Sequence, residues 1–456
     1  MLTGKHRIAA RPQGVLKDAA GGAARVTTGK QRNQASLRLL YAALGALLFA
    51  SYGAIGKDLL HNPVRDAILL SAYDEPYNRL RYLTVLLIFA VALLERRVII
   101  TLRSIWFLAP LIAVTAGSIF WSTSVVVTGR NAFLLAGLVA STALIVARNG
   151  TGGFFRIQLH FLALVVISST LLALAVPDIG RHSAGDLLER GHIGQWRGIF
   201  GHKNGLGAYA AIATVQLTLF AKGEGLQRAY WWAARLCAVA CLVFAGSATS
   251  ISATIVGFII YFLLSNRWTS HPFVLSMLGA LVIVVAGALS AGAADVFGLF
   301  GRDMTLTGRT EIWRAAATMI KQHFLLGLGY GSHVEVMMNY LRSALFSSAV
   351  DTHNGYLDVF AAVGLVGFVA FVFAVLVGGR KAYSAARHGV GQVRDAGLAS
   401  MCVIVMSLTA AIGEVSPFRA VGYGGAIFWM SIVLAAHASA QVRRAIQSPS
   451  APEPAL

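Results

Sequence analysis

The sequence predicts an all-α integral membrane protein with about 12 transmembrane helices. Its 456 residues are 57% hydrophobic and only 12% charged, and the mean hydropathy is +0.68. Apolar runs of about 18 or more residues recur along most of the chain, which is typical of helices that cross a bilayer. The short alternating segments that build outer-membrane barrels do not occur in the sequence. We therefore expect one helical bundle rather than several soluble domains.

The placement of positive charge supports this interpretation. The net charge is +19, and much of it lies in the N-terminal tail or in short loops between apolar runs, where basic residues mark the cytoplasmic side. Twelve spans with both termini in the cytoplasm put these basic loops inside and two polar islands outside. A basic tail beside anionic lipid accounts for the charge without nucleic acid. The predicted spans cover about residues 37–55, 80–94, 104–120, 131–147, 157–176, 204–221, 230–246, 249–264, 272–292, 354–378, 397–413 and 424–440.

The chain divides into two tails and one membrane domain. Residues 1–36 are predicted to be a disordered basic cytoplasmic tail, because they are polar and lack an apolar run, and they do not resemble a cleavable signal peptide. Residues 37–440 form the polytopic domain, with periplasmic loops at about 177–203 and 293–353, and residues 441–456 form a second cytoplasmic tail. Cys237, Cys241 and Cys402 lie within apolar runs and are interpreted as packing residues.

The two periplasmic loops hold a cationic set and several histidines. An arginine fork matches phosphate with two hydrogen bonds, and lysine adds a point charge. A histidine at the start of a membrane helix lies at the water–lipid boundary, where it can serve as a base. Such a set could move a phosphate-activated group, and an anion transporter could carry the same set. The residues are Arg197, Lys203, Arg302, Arg309 and Arg342, with His202, His323, His333 and His353.

These residues also have structural interpretations. His333 is expected to be a solvated loop histidine, and Lys203 could be an interfacial anchor whose ammonium reaches water rather than a site residue. Asp351 and Asp358 flank His353, and either could orient its imidazole, although a cap or surface role is favoured for both. No acidic cluster or histidine pair has the spacing of metal ligands, so no metal is expected.

Three stretches resemble the O-antigen ligase and polysaccharide polymerase superfamily over about residues 100–440. Residues 197–204 (RGIFGHKN) resemble its first signature, at the entry to a span. Residues 301–313 (GRDMTLTGRTEIW) resemble the succinoglycan-type exopolysaccharide polymerases more closely than the ligases. His353 and Asn354, followed by Gly364 and Gly367, match the ligase-type histidine motif. The spacing of arginine, ten residues and glycine found in some polymerases does not occur after Arg197 or Arg309.

The resemblance implies a metal-independent glycosyltransferase of the bacterial inner membrane, with a GT-C-like fold and no cofactor. Its donor would be an oligosaccharide linked through pyrophosphate to undecaprenol. By the same resemblance, Arg197 and Arg309 would bind the pyrophosphate, with Arg302 as a further candidate. His353 would take the proton of the acceptor hydroxyl. The supporting residues would be His202, Lys203, Asn204, Asn354 and Asp351.

Three functional hypotheses stay open. The leading one is a polymerase that joins lipid-linked repeat units into exopolysaccharide at the periplasmic face. The second is a ligase that transfers a lipid-linked glycan to lipid A core. The third, from another class, is a multi-span transporter or lipid-linked glycan flippase, although transport pathways usually carry more ionisable groups at mid-membrane. The expected partners are the lipid-linked donor, an acceptor glycan and membrane lipids, together with a flippase and a chain-length regulator, and no nucleic acid.

Overall fold

The computed structural model of the protein describes residues 35–52, 75–94, 102–183, 192–265, 309–345, 351–414, 418–422 and 424–447. In these ranges the regular structure is helical, apart from one isolated antiparallel bridge between Arg181 and Trp196. The predicted all-α class is therefore confirmed. The basic N-terminal tail before residue 35, the ninth predicted span and Arg302 lie outside the described residues.

The helices follow the predicted spans closely. Two 3-10 helices, Arg103–Leu108 and Ser118–Phe120, flank the α-helix Ala109–Gly117. The second tail was predicted to begin at residue 441, but the last helix continues beyond that point. The helices of the described ranges are α1 (Ala35–Tyr52), α2 (Glu75–Leu94), α3 (Ala109–Gly117), α4 (Val125–Ala175), α5 (Pro177–Gly180), α6 (Lys203–Phe220), α7 (Gly225–Ala245), α8 (Ala248–Ser265), α9 (Arg309–Gln322), α10 (His333–Leu345), α11 (Gly355–His388), α12 (Gln392–Ala410) and α13 (Gly425–Gln447).

Eight helical segments of the described chain are long and apolar enough to cross a membrane. One of them, α4, is 51 residues long and breaks at Gly150, whose φ is 74°, so it accounts for two predicted spans. The helices α2 and α6 lie where two more spans were predicted but fall outside that set of eight. The chain is thus a multi-pass membrane protein. The total of 12 spans stays a prediction, because residues 266–308 are not described.

The helices α6 and α13 form the centre of the bundle. α6 packs against α4, α7 and α8, and α13 packs against α4, α11 and α12. Most of the residues in each helix are buried, which explains why their apolar residues are not confined to one stripe. The buried polar side chains of Gln158 and Gln216 meet across α4 and α6, with Nε2 of Gln158 donating to Oε1 of Gln216 over 2.8 Å.

The bundle has one end rich in loops and one end rich in basic residues. At the first, which we call the site end, Nδ2 of Asn204 donates to Glu414, and the amide of Gly355 donates to the carbonyl of Ala411 over 2.7 Å. At the other, the basic end, Arg394 donates to the carbonyl of Ser265 over 3.0 Å. The described parts of both predicted polar islands therefore lie at the site end.

The helix α11 breaks about two and a half turns from its start at the site end, at Gly364. The φ of Gly364 is 62°, and the loop 324–329 docks into the break through four backbone hydrogen bonds of 2.8–3.2 Å. These bonds satisfy helix carbonyls and amides that the break leaves without helical partners. A Cβ at Gly364 would lie 2.4 Å from the backbone of Leu325. The glycine of the histidine motif is thus required by the backbone conformation and by the close approach of this loop.

Candidate active site

His353 lies in a tight turn immediately before α11. Its φ is 46°, and it is the only residue other than glycine with a positive φ among the described residues. Its amide donates to Oδ1 of Asp351 over 2.8 Å, and the indole of Trp313 donates to the carbonyl of Thr352 over 2.9 Å. A positive φ in a non-glycine residue costs about 1–3 kcal/mol, so neighbouring contacts must hold this conformation.

Asn354 links this turn to the helix that follows. Its Oδ1 accepts hydrogen bonds from the amides of Tyr356 and Leu357 at 3.0 and 3.1 Å, which caps α11. Its Nδ2 donates to the carbonyl of Ile412 over 3.4 Å. The cap thus fixes where α11 begins and also ties that point to the end of α12, which keeps His353 at a defined position.

The imidazole of His353 is partly exposed to solvent. Its side chain is 31% exposed, while Nδ1 is buried and lies 3.3 Å from Oδ1 of Asp351, without hydrogen-bond geometry. The exposure therefore belongs to the other atoms of the side chain. Burial lowers the pKa of His353 below its usual value; the carboxylate of Asp351 opposes this shift, and the positive charge of Arg309 adds to it. The ring is consequently a neutral base at pH 7.

Residues from both islands surround His353. Arg309 is the first residue of α9, and its guanidinium lies against Gly413. A Cβ added at Gly413 would be 2.9 Å from Nη1 of Arg309. Nδ2 of Asn204 donates to Oε1 of Glu414 over 2.8 Å. Burial raises the pKa of Glu414 to about 7, against the positive charges of Arg309 and Lys203. Two cations and a carboxyl that titrates near neutral pH therefore share one site.

Lys203 does not reach water as an interfacial anchor would. The residue is only 7% exposed, and its charge acts on the nearby Glu414. The interpretation of Lys203 as a snorkelling anchor is wrong, because its position at the N-terminus of α6 places it inside the cluster of site residues. A buried ammonium requires negative charge nearby, which Glu414 supplies in part.

His202 acts as a helix cap. Its Nδ1 accepts from the amide of Asn204 over 3.1 Å, and burial lowers its pKa to about 3, so the ring stays neutral. His182 and His192 lie beside it, with ring centroids 5.4 and 5.8 Å away. Nε2 of His182 accepts from the amide of Lys203 over 3.2 Å. Within the described ranges, no group of three such side chains has a geometry that could hold a metal ion.

Arg197 binds backbone carbonyls of the preceding turn. Its Nε donates to the carbonyl of Ile179 over 2.8 Å, and its Nη2 donates to that of Asp178 over 3.2 Å. Its own amide donates to the carbonyl of Gly180. These contacts hold the loop that leads to α6 against the end of α4. A role for Arg197 in binding pyrophosphate stays a prediction, and Arg302 is not described.

The sequence does not predict a second polar cluster, which is formed by His333, Asp358 and Arg419. Nε2 of His333 lies 3.1 Å from Oδ1 of Asp358. Arg419 donates to the same carboxylate twice, from Nη2 to Oδ1 over 2.5 Å and from Nε to Oδ2 over 3.0 Å. The side chains of His333 and Asp358 are only 3% and 7% exposed. The interpretations of His333 as a solvated histidine and of Asp358 as a cap or surface residue are therefore wrong.

Comparison with known proteins supports the family resemblance. Residues 233–372 match the model of a family described as O-Antigen ligase. The chain is also 28% identical over 194 residues to the exopolysaccharide production protein ExoQ of Rhizobium meliloti (strain 1021). That alignment covers 39% of this chain and 45% of the relative, so the chain spans less than half the length of the relative it matches. The two matches confirm the predicted resemblance to the O-antigen ligase and polymerase superfamily.

Proposed function

We propose that this protein is a glycan-transfer enzyme that polymerises undecaprenyl-pyrophosphate-linked repeat units into an exopolysaccharide. The observation that carries the proposal is His353, a partly exposed, neutral imidazole held in a strained turn beside Asp351 and Arg309. A neutral imidazole at a water-accessible edge is suited to general base catalysis, which contributes about 10²–10⁴ in rate.

The reaction would be a displacement at the anomeric carbon of the donor sugar. The acceptor hydroxyl attacks this carbon as His353 removes the hydroxyl proton, and a new glycosidic carbon–oxygen bond forms. The bond between the anomeric carbon and the pyrophosphate oxygen breaks, and undecaprenyl pyrophosphate leaves with the bonding electrons. Attack opposite the leaving group inverts the anomeric centre. Asp351, 3.3 Å from Nδ1, stabilises the imidazolium that forms.

Arg309 would stabilise the departing pyrophosphate. Charge builds on this group as the glycosidic bond breaks, and a preorganised guanidinium is most effective against such charge. Lys203 lies near enough to act on the same carboxyl as Arg309, so the two cations are candidates for one anion. In the absence of donor, Glu414 partly balances both charges. Arg197 and Arg302 remain further candidates for pyrophosphate binding.

The site end would face the periplasm of a bacterial inner membrane. Basic loops between spans favour the cytoplasmic side, and Lys381 and Arg443 lie near each other at the basic end. Both termini would then be cytoplasmic. The lipid-linked donor would reach the site from the outer leaflet, so a flippase must deliver it, and a chain-length regulator is a further candidate partner.

A ligase is the second candidate function. The matching family is described as O-Antigen ligase, and the His353 motif fits a ligase as well as a polymerase. The relative described as an exopolysaccharide production protein favours the polymerase. In both reactions the donor, the base and the leaving group are the same, and only the acceptor differs.

The two functions can be separated in a strain that lacks the chromosomal copy of this gene. The strain is complemented with wild type, with His353→Ala, or with His323→Ala, which changes an exposed histidine at the end of α9. Secreted polysaccharide is sized by gel filtration and lipopolysaccharide by gel electrophoresis. We expect His353→Ala to lose high-mass secreted polymer while lipopolysaccharide is unchanged and membrane insertion is intact.

Two other outcomes would contradict the polymerase. Lipid A core left bare, with polymer accumulating on its lipid carrier, would identify a ligase. Wild-type amounts of both glycans in the His353→Ala strain would remove the basis for enzymatic transfer and favour the transporter or flippase.

A further inference from the structure

A cavity of about 220 Å³ lies beside the candidate active site. Ligand pockets for drug-sized molecules measure roughly 300–1,000 Å³, so this cavity fits one sugar ring or a group of that size. Its wall has a polar side, an aromatic side and an aliphatic remainder. The polar side comprises Asn78, Thr115, Arg130, Asn131, Tyr330, His333, Asp358 and Arg419, and the aromatic side comprises Phe371, Phe418 and Trp429.

The Asp358 carboxylate on the polar side is already satisfied. Both of its oxygens accept from the guanidinium of Arg419, and Oδ1 also faces Nε2 of His333. Nδ1 of His333 accepts from the amide of Gly331 over 3.1 Å, and its Nε2 lies 3.1 Å from Oδ1 of Asp358. The negative charge of Asp358 is therefore paired with the positive charge of Arg419.

Arg130 adds a positive charge that nothing described on the wall balances. It lies in the second turn of α4, and no hydrogen bond or ion pair joins it to another residue within the described ranges. A half-buried guanidinium without an anion favours a ligand that brings one. Its planar fork matches a carboxylate or a phosphate oxygen pair.

The aromatic side supplies an apolar platform. The rings of Phe371 and Phe418 are 4.6 Å apart, and the indole of Trp429 donates to the carbonyl of Phe418 over 3.0 Å. Aromatic faces beside hydrogen-bonding groups suit a ligand that is apolar on one face and polar at its edge, as a sugar ring is. The close approach of Gly331 to Asn131 fixes the position of the loop that forms the adjoining wall.

The cavity is close to His353. Asp358 follows His353 by five residues at the start of α11, which corresponds to about 7 Å along a helix axis. Phe418 lines the cavity, and a Cβ at Gly355 would lie 3.1 Å from its ring. The first turns of α11, the helix that begins just after His353, therefore form part of the cavity wall.

We propose that the cavity beside Arg130, Arg419 and Trp429 binds one sugar residue that carries an anionic group, a carboxylate or a phosphate, within the saccharide that reaches His353. This inference rests on the proposed function for the identity of the saccharide, although the binding itself does not require catalysis. Arg130 pairs with the anionic group, the Asp358 cluster presents fixed hydrogen-bonding edges, and the aromatic side contacts the apolar face of the ring.

Direct binding to the full-length protein in nanodiscs tests the proposal. The probes are methyl glucuronide, methyl glucoside and methyl glucoside 6-phosphate, titrated by saturation-transfer difference NMR. We expect the two anionic probes to bind about tenfold more tightly than the neutral one, as one charge-assisted interaction provides. The relative affinities of the two anionic probes distinguish carboxylate from phosphate as the preferred group.

Variants locate this preference. In Arg130→Gln the anionic and neutral probes should bind within about threefold of each other, because only the charged interaction is lost. Arg228→Gln, which changes an exposed arginine at the basic end, should keep the wild-type preference. If Arg130→Gln fails to insert into the membrane, Arg130→Lys is measured instead. It should weaken the preference for anionic over neutral probes by about threefold, since lysine lacks the fork. The proposal is overturned if an Arg130 variant that inserts keeps the wild-type preference for anionic probes. It is also overturned if that preference is lost in Arg309→Gln and not in the Arg130 variant.

Probe binding and polymer production together distinguish a failure of this proposal from a failure of the proposed function. His353→Ala should bind the anionic probes as wild type does while it makes no polymer. Polymer loss in His353→Ala without any preference for anionic probes in wild type would overturn only the cavity assignment. A clear preference in wild type, together with normal polymer from His353→Ala, would support the cavity and contradict the catalytic role of His353.

Discussion

Two histidine–aspartate pairs near the start of α11 differ in almost every physical respect. His353 lies 3.3 Å from Asp351 in a strained turn, and their side chains are 31% and 24% exposed. His333 contacts Asp358 at 3.1 Å, the side chains of both are nearly inaccessible, and Arg419 satisfies the same carboxylate. The first pair leaves reactive atoms available to a substrate, whereas the second uses its polar atoms to hold the structure together.

The comparison shows that proximity of a histidine to a carboxylate does not define a catalytic pair. A base must be reachable and must change its protonation state during the reaction. A buried pair with a full set of hydrogen bonds instead fixes the positions of its neighbours. The His333 pair therefore positions the cavity wall and the first turns of α11, and the His353 pair is the candidate for proton transfer.

The largest expected effect is on stability, from Asp358→Asn. This change leaves the guanidinium of Arg419 without its counter-charge and should cost about 3–5 kcal/mol. The matched change Asp351→Asn should cost less than about 1 kcal/mol, because the pair it breaks is partly exposed. Thermal unfolding followed by fluorescence-detected size exclusion compares the two. Equal losses would remove the distinction between a structural and a functional aspartate.

The next effect is on catalysis, from Arg309→Lys. Lysine keeps the charge but not the fork, and we expect a loss of about 10²–10³ in transfer rate with unchanged unfolding temperature. Arg314→Lys, at an exposed position of the same helix, serves as the control. A rate for Arg309→Lys equal to that of the control would show that Arg309 does not contact the leaving group.

A smaller loss is expected when the break in α11 is disturbed. Gly364→Ala puts a side chain on a residue with φ 62° and brings its Cβ to 2.4 Å from the backbone of Leu325, so we expect a cost of about 1–3 kcal/mol. Because the loop 324–329 leads to His333, the buried pair should loosen with it. Gly379→Ala on the same helix meets no atom within 4 Å and should be neutral or stabilising. Equal unfolding temperatures for the two variants would contradict this account of the break.

The smallest effect concerns the pH dependence of donor binding. The pKa of Glu414 is raised to about 7, so its carboxylate forms as the pH rises through neutrality and competes with the pyrophosphate for Arg309 and Lys203. The KM for the donor should therefore rise by about threefold to tenfold between about pH 6 and pH 8.5. Glu414→Gln keeps an acceptor for Asn204 but cannot ionise, and its KM should stay low and flat. A variant with the wild-type pH profile would exclude Glu414 as the competing anion.

The local features of the His353 site could be predicted from the sequence. A polar His-Asn pair before an apolar run indicates a capped helix at the membrane edge, and Asn354 caps α11 in that way. The basic loops and polar islands also indicated which segments share an end of the bundle, as the bond between Asn204 and Glu414 illustrates. These predictions depend on residues that are close in sequence, or on the tendency of basic loops to lie on one side of the membrane.

The buried pair could not be predicted in the same way. Asp358 lies 25 residues from His333 and 61 from Arg419, so no periodicity joins them. Residues near a polar loop also have the composition of a solvated surface, which hid the burial of His333. The break at Gly364 was equally hidden, because a glycine in an apolar run is as consistent with helix packing as with a docked loop.

The most direct test of the account measures transfer by the purified protein. Wild type, His353→Ala and His323→Ala are reconstituted in nanodiscs with lipid-linked saccharide extracted from a strain that lacks this gene, and the release of undecaprenyl pyrophosphate is followed. We expect His353→Ala to lose about 10²–10⁴ in transfer rate, because the base is removed, while the His323→Ala control matches wild type. A His353→Ala rate within about threefold of wild type would contradict the assignment of His353 as the base.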